Sequence, residues 1–357
     1  MKNNLLKLRK SIDQLDGKVV QLLNKRAQYV LQIKQIKNKF NASFYSPQRE
    51  QEVYKNVCLN NNGPFSNEIL KNIFREVMSG SLALETKLKI AYFGPEGTNT
   101  HLAALKKFGT ASVYFPVPSI KDVFVEVEKG RADYGLVPVE NSTEGTINHT
   151  LDLLIDSELK ICSEIAIPIT HNLMSSLGDL NKIKKIYSHY QAIAQSRIWL
   201  ETHLPNVLVV EVASTAKAAQ LAQKDKTVAA IAPEVAANVY NLKIIARGIE
   251  DLNDNITRFL VIGKNFSKAT GNDKTSIMIS IKDKVGALHK ILTYFQNYKV
   301  NLTNIESRPS RKKAWDYFFF IDFVGHVNDS KIKKILSDLE ESTAFIKVLG
   351  SYPKCEL

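Results

Sequence analysis

Residues 5–40 carry a heptad pattern with one exception. With Leu5, Ile12, Val19, Arg26, Ile33 and Phe40 at a positions, Leu8, Leu15, Leu22, Tyr29 and Ile36 fall at d, and every seam position except Arg26 suits a partner helix. No proline interrupts the stretch, and Gly17 is its only glycine. At about 1.5 Å per residue the helix is ~50 Å long, more than one small globule covers, which predicts neighbouring helices, one of them from a second chain. A guanidinium in an apolar seam costs several kcal/mol unless an anion meets it. Arg9 and Lys37 flank the seam at e positions. Two readings follow: an interior holding a small anion among cations, or an Arg26 that snorkels outward or meets a buried glutamate.

The helical pattern continues. Ser46 reads as an N-cap with Pro47 at the first helical position, and Arg49, Glu50, Val53 and Val57 follow on a short helix stopped by Gly63-Pro64. A third helix from Ser66 places Ile69, Ile73, Val77, Ser81 and Leu84 on one face, with Glu85 one turn beyond Ser81. Residues 1–87 are therefore expected to be all-helical.

At Lys87 the period changes. A strand at 89–93 leads through Gly94-Pro95-Glu96-Gly97-Thr98 into a helix reaching 108; a strand follows at 113–117, then a helix capped by Ser119 with Asp122 as its capping-box acid. The strand at 134–139 runs into Glu140-Asn141-Ser142-Thr143-Glu144-Gly145-Thr146. Such a polar cluster at a strand's carboxyl end is either a ligand site or a solvated loop before the helix at 147–156. Further strands near 161–169, 183–187, 207–212, 227–231 and 243–246 alternate with helices near 191–203, 214–223 and 233–240, enough for two α/β lobes over residues 88–264. Asn255-Ile256-Thr257-Arg258-Phe259 leads into a strand at 260–263, and 264–274 is a polar linker. Residues 275–352 then read strand, helix, strand, strand, helix, strand (275–282, 285–297, 300–307, 315–324, 329–341 and 345–350), a ferredoxin-like βαββαβ unit with Gly286 at its first strand-to-helix turn.

Composition narrows the function. The chain has 357 residues, 44% hydrophobic and 24% charged, as expected of a multidomain protein able to bury a core. Its net charge of +12 is scattered rather than gathered in a stripe, which argues against nucleic acid and is compatible with small acidic ligands. No apolar run is long enough to span a bilayer, and the first ten residues pass directly into the amphipathic helix, so neither a membrane segment nor a secretory leader is expected. Cys58, Cys162 and Cys355 are odd in number and widely spaced, against a disulfide framework or zinc site and in favour of a reducing cytoplasm.

Taken together, these segments resemble the bifunctional chorismate mutase–prephenate dehydratases of phenylalanine biosynthesis over nearly the whole chain. The helical part is similar to the all-α chorismate mutases. The resemblance implies that Arg9, Arg26, Lys37 and Arg49 bind the carboxylates and ether oxygen of chorismate, that Glu50 holds the ring hydroxyl, and that Ser81 and Glu85 close the site. It also implies an intertwined homodimer, or a higher homo-oligomer, in which Arg9 reaches the partner's site, and a substrate contact at Ser46, which stands where an aspartate is frequent and offers a hydroxyl or backbone group instead. The rearrangement needs a compact conformer held and charge on the ether oxygen stabilised, tasks for which the resemblance implies Lys37 and Glu85 as the catalytic residues. A carboxylate beside that oxygen repels it, so Glu85 is expected to donate a hydrogen bond.

The middle part resembles prephenate dehydratases through Gly94-Pro95-Glu96-Gly97-Thr98, Glu140 to Gly145, Ser188-His189-Tyr190-Gln191, Ala232-Pro233-Glu234 and Thr257-Arg258-Phe259. The resemblance implies a catalytic Thr257 at the leaving hydroxyl of prephenate, with Glu140, Asn141, Ser188, His189, Gln191, Arg258 and Phe259 as substrate contacts; Asn99 and Tyr190 depart from the family pattern. The last part resembles a phenylalanine-responsive ACT domain, which implies an effector site at Gly286, Ala287, Leu288, Glu306, Ser307, Arg308 and Pro309. No cofactor or metal is implied.

Overall fold

The computed structural model describes residues 2–40, 45–252, 254–281, 284–309 and 317–355. The expected end of the long helix beyond residue 40, and residues 282, 315 and 316 of the expected ferredoxin-like strands, lie outside the described residues. The chain divides into two compact units, Met1–Leu88 with Phe108–Val113, and Lys89–Lys107 with Tyr114–Leu357.

The first unit is built on α1 (Lys2–Lys39), α2 (Pro47–Leu59) and α3 (Asn67–Glu85). Ser46 caps α2 by accepting from Arg49 N, with Pro47 just inside, and Ser66 caps α3 by accepting from Ile69 N. The long helix packs on α3 through Arg26, Ala27, Val30, Lys34 and Lys37, a face rotated away from most of the heptad seam. The seam stays bare: Leu8 is 63% exposed, Leu22 65% and Ile36 58%. Residues 108–113 join this unit, with Phe108 against Tyr45 at 5.2 Å, and Glu76 accepting from Thr110 N at 3.0 Å and Thr110 Oγ1 at 2.7 Å.

The second unit runs β1 (Lys89–Phe93), α4 (Asn99–Phe108), β2 (Val113–Val117), α5 (Ile120–Glu128), β3 (Tyr134–Asn141), β4 (Gly145–Thr146), α6 (Asn148–Asp156) and β5 (Lys160–Pro168). It continues with β6 (Asn172–Ser175), β7 (Lys185–Ser188), α7 (Tyr190–Ala194), α8 (Arg197–His203), β8 (Leu208–Glu211), α9 (Thr215–Lys224), β9 (Val228–Ala232), α10 (Glu234–Val239), β10 (Lys243–Ala246) and β11 (Ile256–Gly263). The ferredoxin-like part follows as β12 (Asp273–Ser280), α11 (Ala287–Asn297), β13 (Leu302–Pro309), β14 (Tyr317–Val324), α12 (Ser330–Ser342) and β15 (Phe345–Pro353). No helix among the described residues is long and apolar enough to cross a membrane.

Two sheets organise these elements. The second lobe is a five-stranded sheet in the order β10-β6-β9-β7-β8, covered on both faces. Its strand β6, fully buried and four residues long, shows no polar alternation and escaped the sequence reading. The helix expected over 191–203 breaks into α7 and α8 at Ser196.

The other sheet runs β13-β14-β12-β15-β5-β11-β3-β1-β2, with β4 paired to β3, so the ferredoxin-like strands and the first lobe share one ladder. One core accordingly mixes Val137, Leu151, Leu154 and Leu260 of the lobe with Met278, Phe320, Leu349 and Tyr352. The join is β15 against β5, parallel, with Gly350 opposite Ile161. A Cβ on Gly350 would lie 2.3 Å from Ile161 O, so only glycine lets the strands approach. Gly350→Ala is expected to destabilise the unit by about 1–3 kcal/mol, read as a lowered midpoint in denaturant unfolding.

Candidate active sites

In the helical unit the guanidinium of Arg26 is half-buried. Its Nη1 donates to Ser81 Oγ, and that hydroxyl donates to Val77 O at 2.6 Å. Burial, and then the neighbouring Arg49, hold the Arg26 pKa below its ordinary value. The two arginines line a hollow of about 720 Å³ together with Val53, Asn56, Val57, Asn60, Phe65 and Phe74, and its described lining contains no carboxylate. Among the described residues the Arg49 guanidinium pairs with exposed Glu52, at 2.9 Å. Two cations facing one space repel until an anion enters it.

Ser81 and Glu85 stand one turn apart on α3, so the Arg26–Ser81 contact adjoins a second pair, Lys37 Nζ to Glu85 Oε2 at 3.0 Å, with Glu85 buried. Glu85 here accepts a hydrogen bond, so the donor role expected from its chemistry requires this pair to open when substrate arrives. Tyr45 donates to Glu50 at 3.2 Å, and the Ser46 hydroxyl is engaged as the α2 cap. Arg9 is exposed and does not join this group. Its 26 − 9 = 17 residues from Arg26 amount to about 26 Å along α1, so within one chain it cannot reach the same anion.

In the second unit the sequence cluster Glu140 to Thr146 is the end of β3, a tight turn and β4. Asn141 Oδ1 accepts from Thr143 N at 3.0 Å, Thr143 Oγ1 at 2.6 Å and Glu144 N at 3.2 Å. Two backbone donors therefore fix which way the Asn141 amide faces. Its Nδ2 donates to Thr257 Oγ1 at 2.8 Å and to Asn255 Oδ1 at 2.7 Å. Asn255 Nδ2 in turn donates to Gln195 Oε1 at 2.9 Å, and Gln195 Nε2 donates to Thr143 Oγ1 at 3.3 Å. With Gln195 Oε1 an acceptor, His171 Nε2 at 2.8 Å must carry the proton. Every bond in this net has one direction.

The direction bears on chemistry. Thr257 Oγ1 receives a hydrogen bond, and no acceptor among the described residues takes its own proton, leaving it free to donate to a ligand. Gln191 closes the gap between lobes from the other side, donating to Glu144 Oε2, and Tyr240 donates to Glu96 O at 2.7 Å. His189 lies 4.6 Å from the Tyr190 ring. The Gly94–Thr98 turn is self-satisfied: Gly97 N donates to His101 Nδ1 at 3.2 Å, and burial keeps the His101 pKa low. Asn255, Gln195, Thr143 and His171 were not singled out as site residues; their signal was amide-rich spacing around Thr257, which composition does not distinguish from loop polarity.

Four expected substrate contacts, Glu140 among them, lie elsewhere. Ser188 is fully buried and donates to Ile231 O at 2.7 Å, and Phe259 is 1% exposed inside the sheet. Arg258, next to Thr257 on β11, points to the opposite face. There it meets Glu164 at 2.9 Å, Asp322 at 2.6 Å and Glu140 at 3.3 Å. Burial lowers the pKa of this guanidinium, but Asp322, Tyr352 and Glu164 outweigh it and the net shift is upward. The expected effector residues also divide. Gly286, in the left-handed region at φ +80°, opens α11, with Ala287 and Leu288 as its first residues, and Ser307 and Pro309 are exposed on β13. Glu306 and Arg308 instead face the first lobe, Glu306 accepting from Thr146 Oγ1 at 3.1 Å and Arg308 pairing with Asp152 at 3.0 Å.

Three family descriptions cover these regions: Chorismate mutase type II over residues 8–86, Prephenate dehydratase over 90–267 and ACT domain over 275–341. The chain is 51% identical over 357 residues to the bifunctional chorismate mutase/prephenate dehydratase of Aquifex aeolicus, covering 99% of each. To the protein of the same name from Pseudomonas aeruginosa it is 46% identical over 363 residues, again covering 99% of each. A crystal structure of prephenate dehydratase in complex with L-Phe from Arthrobacter aurescens is 36% identical and superposes with a TM-score of 0.69, over 75% of this chain and 90% of that one. The chain belongs to the bifunctional chorismate mutase/prephenate dehydratase family.

If the Thr257 proton is the group aimed at the ligand, Thr257→Val lowers the dehydratase kcat by about 10²–10⁴-fold. Thr257→Ser, which keeps the proton, retains most of it, and chorismate turnover is untouched in both. Following phenylpyruvate and prephenate separately checks this.

Proposed function

We propose that the helical unit rearranges chorismate to prephenate and that the two-lobed part converts prephenate to phenylpyruvate, with phenylalanine as feedback effector. We assign the mutase to residues 1–87, the dehydratase to 88–264 and the regulatory domain to 275–352. The observation that carries the mutase reading is Arg26 beside Arg49 at a hollow whose described lining has no acid to neutralise them. A dicarboxylate fits such a place because each carboxylate meets a cation of fixed geometry. Lys37 stabilises charge growing on the ether oxygen as the carbon–oxygen bond breaks and the new carbon–carbon bond forms, and Glu85, released from Lys37, donates to the same atom.

In the dehydratase step, the bond from ring carbon to carboxylate breaks and releases carbon dioxide. Its electron pair completes the aromatic ring, and the ring hydroxyl departs as hydroxide, which a proton from solvent converts to water. Thr257 donates to that hydroxyl, lowering the cost of its departure, while Asn141 holds Thr257 in the donor sense. His189 and Gln191 remain at the cleft as substrate contacts, whereas Glu140 faces Arg258 on the other side of the sheet.

A second copy of the chain completes the mutase site. The bare seam of α1 leaves large apolar side chains in water at about 1.5–3 kcal/mol each, and an identical helix covers them. The same arrangement brings the partner's Arg9 towards the anion that the chain's own Arg9 cannot reach. Among the described residues Cys58, Cys162 and Cys355 form no disulfide, and burial pushes the Cys162 thiol up to about 12, which suits a reducing cytoplasm.

Arg9→Ala and Arg26→Ala chains should each lose mutase activity. Co-expressed in equal amounts, they are expected to recover about a quarter of the wild-type activity, because half of the symmetric dimers then hold one intact site of two. Recovery indistinguishable from zero places Arg9 in its own chain's site or in none.

A further inference from the structure

We propose that α6 is the element through which the regulatory strands position the dehydratase turn, with Asp152 and Lys347 as positioning residues for that reaction. The proposal rests on the effector reading above and assigns it a route. Helix α6 is held by the ferredoxin-like part along its whole length. Just before its start, Thr146 Oγ1 donates to Glu306 of β13 at 3.1 Å. In its middle, Arg308 of β13 forks onto Asp152, with Nη2 at 3.0 and 3.3 Å from the two carboxylate oxygens. At its end, Lys347 Nζ on β15 donates to the carbonyls of Leu154 at 3.2 Å, Ile155 at 3.0 Å and Ser157 at 2.7 Å. These are acceptors that a helix terminus leaves open, and a cation there also meets the negative end of the helix dipole.

On its other side the helix leads straight into the active-site turn. Gly145 alone separates Thr146 from Glu144, the acceptor of Gln191 across the gap between lobes. Thr143, one residue earlier, accepts from Gln195 and donates to Asn141, which orients Thr257. A displacement of β13 or β15 is therefore delivered to the turn by a rigid helix rather than by a loop. The forked ion pair and the three-carbonyl cap are specific enough to transmit it, since both are lost by a shift of about one ångström. Arg258 ties the same strands to the sheet but faces away from the turn, so it anchors rather than transmits.

The test uses the full chain. Asp152→Asn keeps the shape of the side chain and weakens the fork; Lys347→Met removes the cap and serves as an independent variant. Phenylalanine binding is read by calorimetry and inhibition by prephenate turnover. In each variant the phenylalanine concentration that halves the rate should rise about tenfold or more, while the concentration that half-saturates binding stays within about twofold. If both concentrations stay put, or move together, α6 is a structural support and the proposal fails. A wild-type chain that binds no phenylalanine overturns the effector reading itself, and is recognised before either variant is compared. Should Lys347→Met not fold, Asp152→Asn decides the matter alone.

Discussion

A β-strand sends neighbouring side chains to opposite faces, and β11 depends on this more than any other element. Thr257 and Arg258 are adjacent in sequence and serve two different sides of one sheet. On one side, a directional net of amides leaves a single hydroxyl with a proton to give. On the other, a guanidinium binds Glu164 and Asp322 and so ties the first lobe to β14. Glu164 also accepts from Lys274 at 2.8 Å and from Cys355 N at 3.0 Å, and Ser276 donates to Asp322 at 2.5 Å. Buried charges of this kind are tolerated only where each has several partners. The cluster thus fixes the strand from behind while its front carries Thr257, the proposed donor.

The helical unit presents the reverse situation: charges and apolar surface left incomplete. Arg26 is neither in bulk solvent nor locked to an acid; it rests on a neutral hydroxyl beside another cation. The α1 seam is exposed where a helix of this length in a finished assembly would be covered. Both features are ones that the proposed second copy of the chain would complete.

The organisation was legible where local chemistry decides it. Ser46 and Ser119 act as the caps that their spacing indicated, Ser66 caps the helix expected to start there, and the strand–helix alternation from 275 onward follows from clear changes of period. Arg26 was legible because a cation in an apolar seam needs a reason. What could not be read depended on tertiary neighbours. Arg258 sits in a motif with Thr257, and a motif does not reveal that alternate residues face opposite ways into different company. Glu306 and Arg308 likewise belong to an effector-type stretch, yet strand alternation turns them toward α6, leaving Ser307 and Pro309 on the outer side. The net through Gln195 and His171 joins residues distant in sequence, and the buried strand β6 has no periodic signature.

The Gly350 junction has a mechanical consequence. Because β15 hydrogen-bonds both within the ferredoxin-like sheet and to β5, the two parts cannot separate or slide as independent blocks without breaking a shared ladder. A movement of β13 or β15 against α6 therefore goes with a change in twist or curvature of one continuous surface. A glycine is the residue that tolerates such bending best.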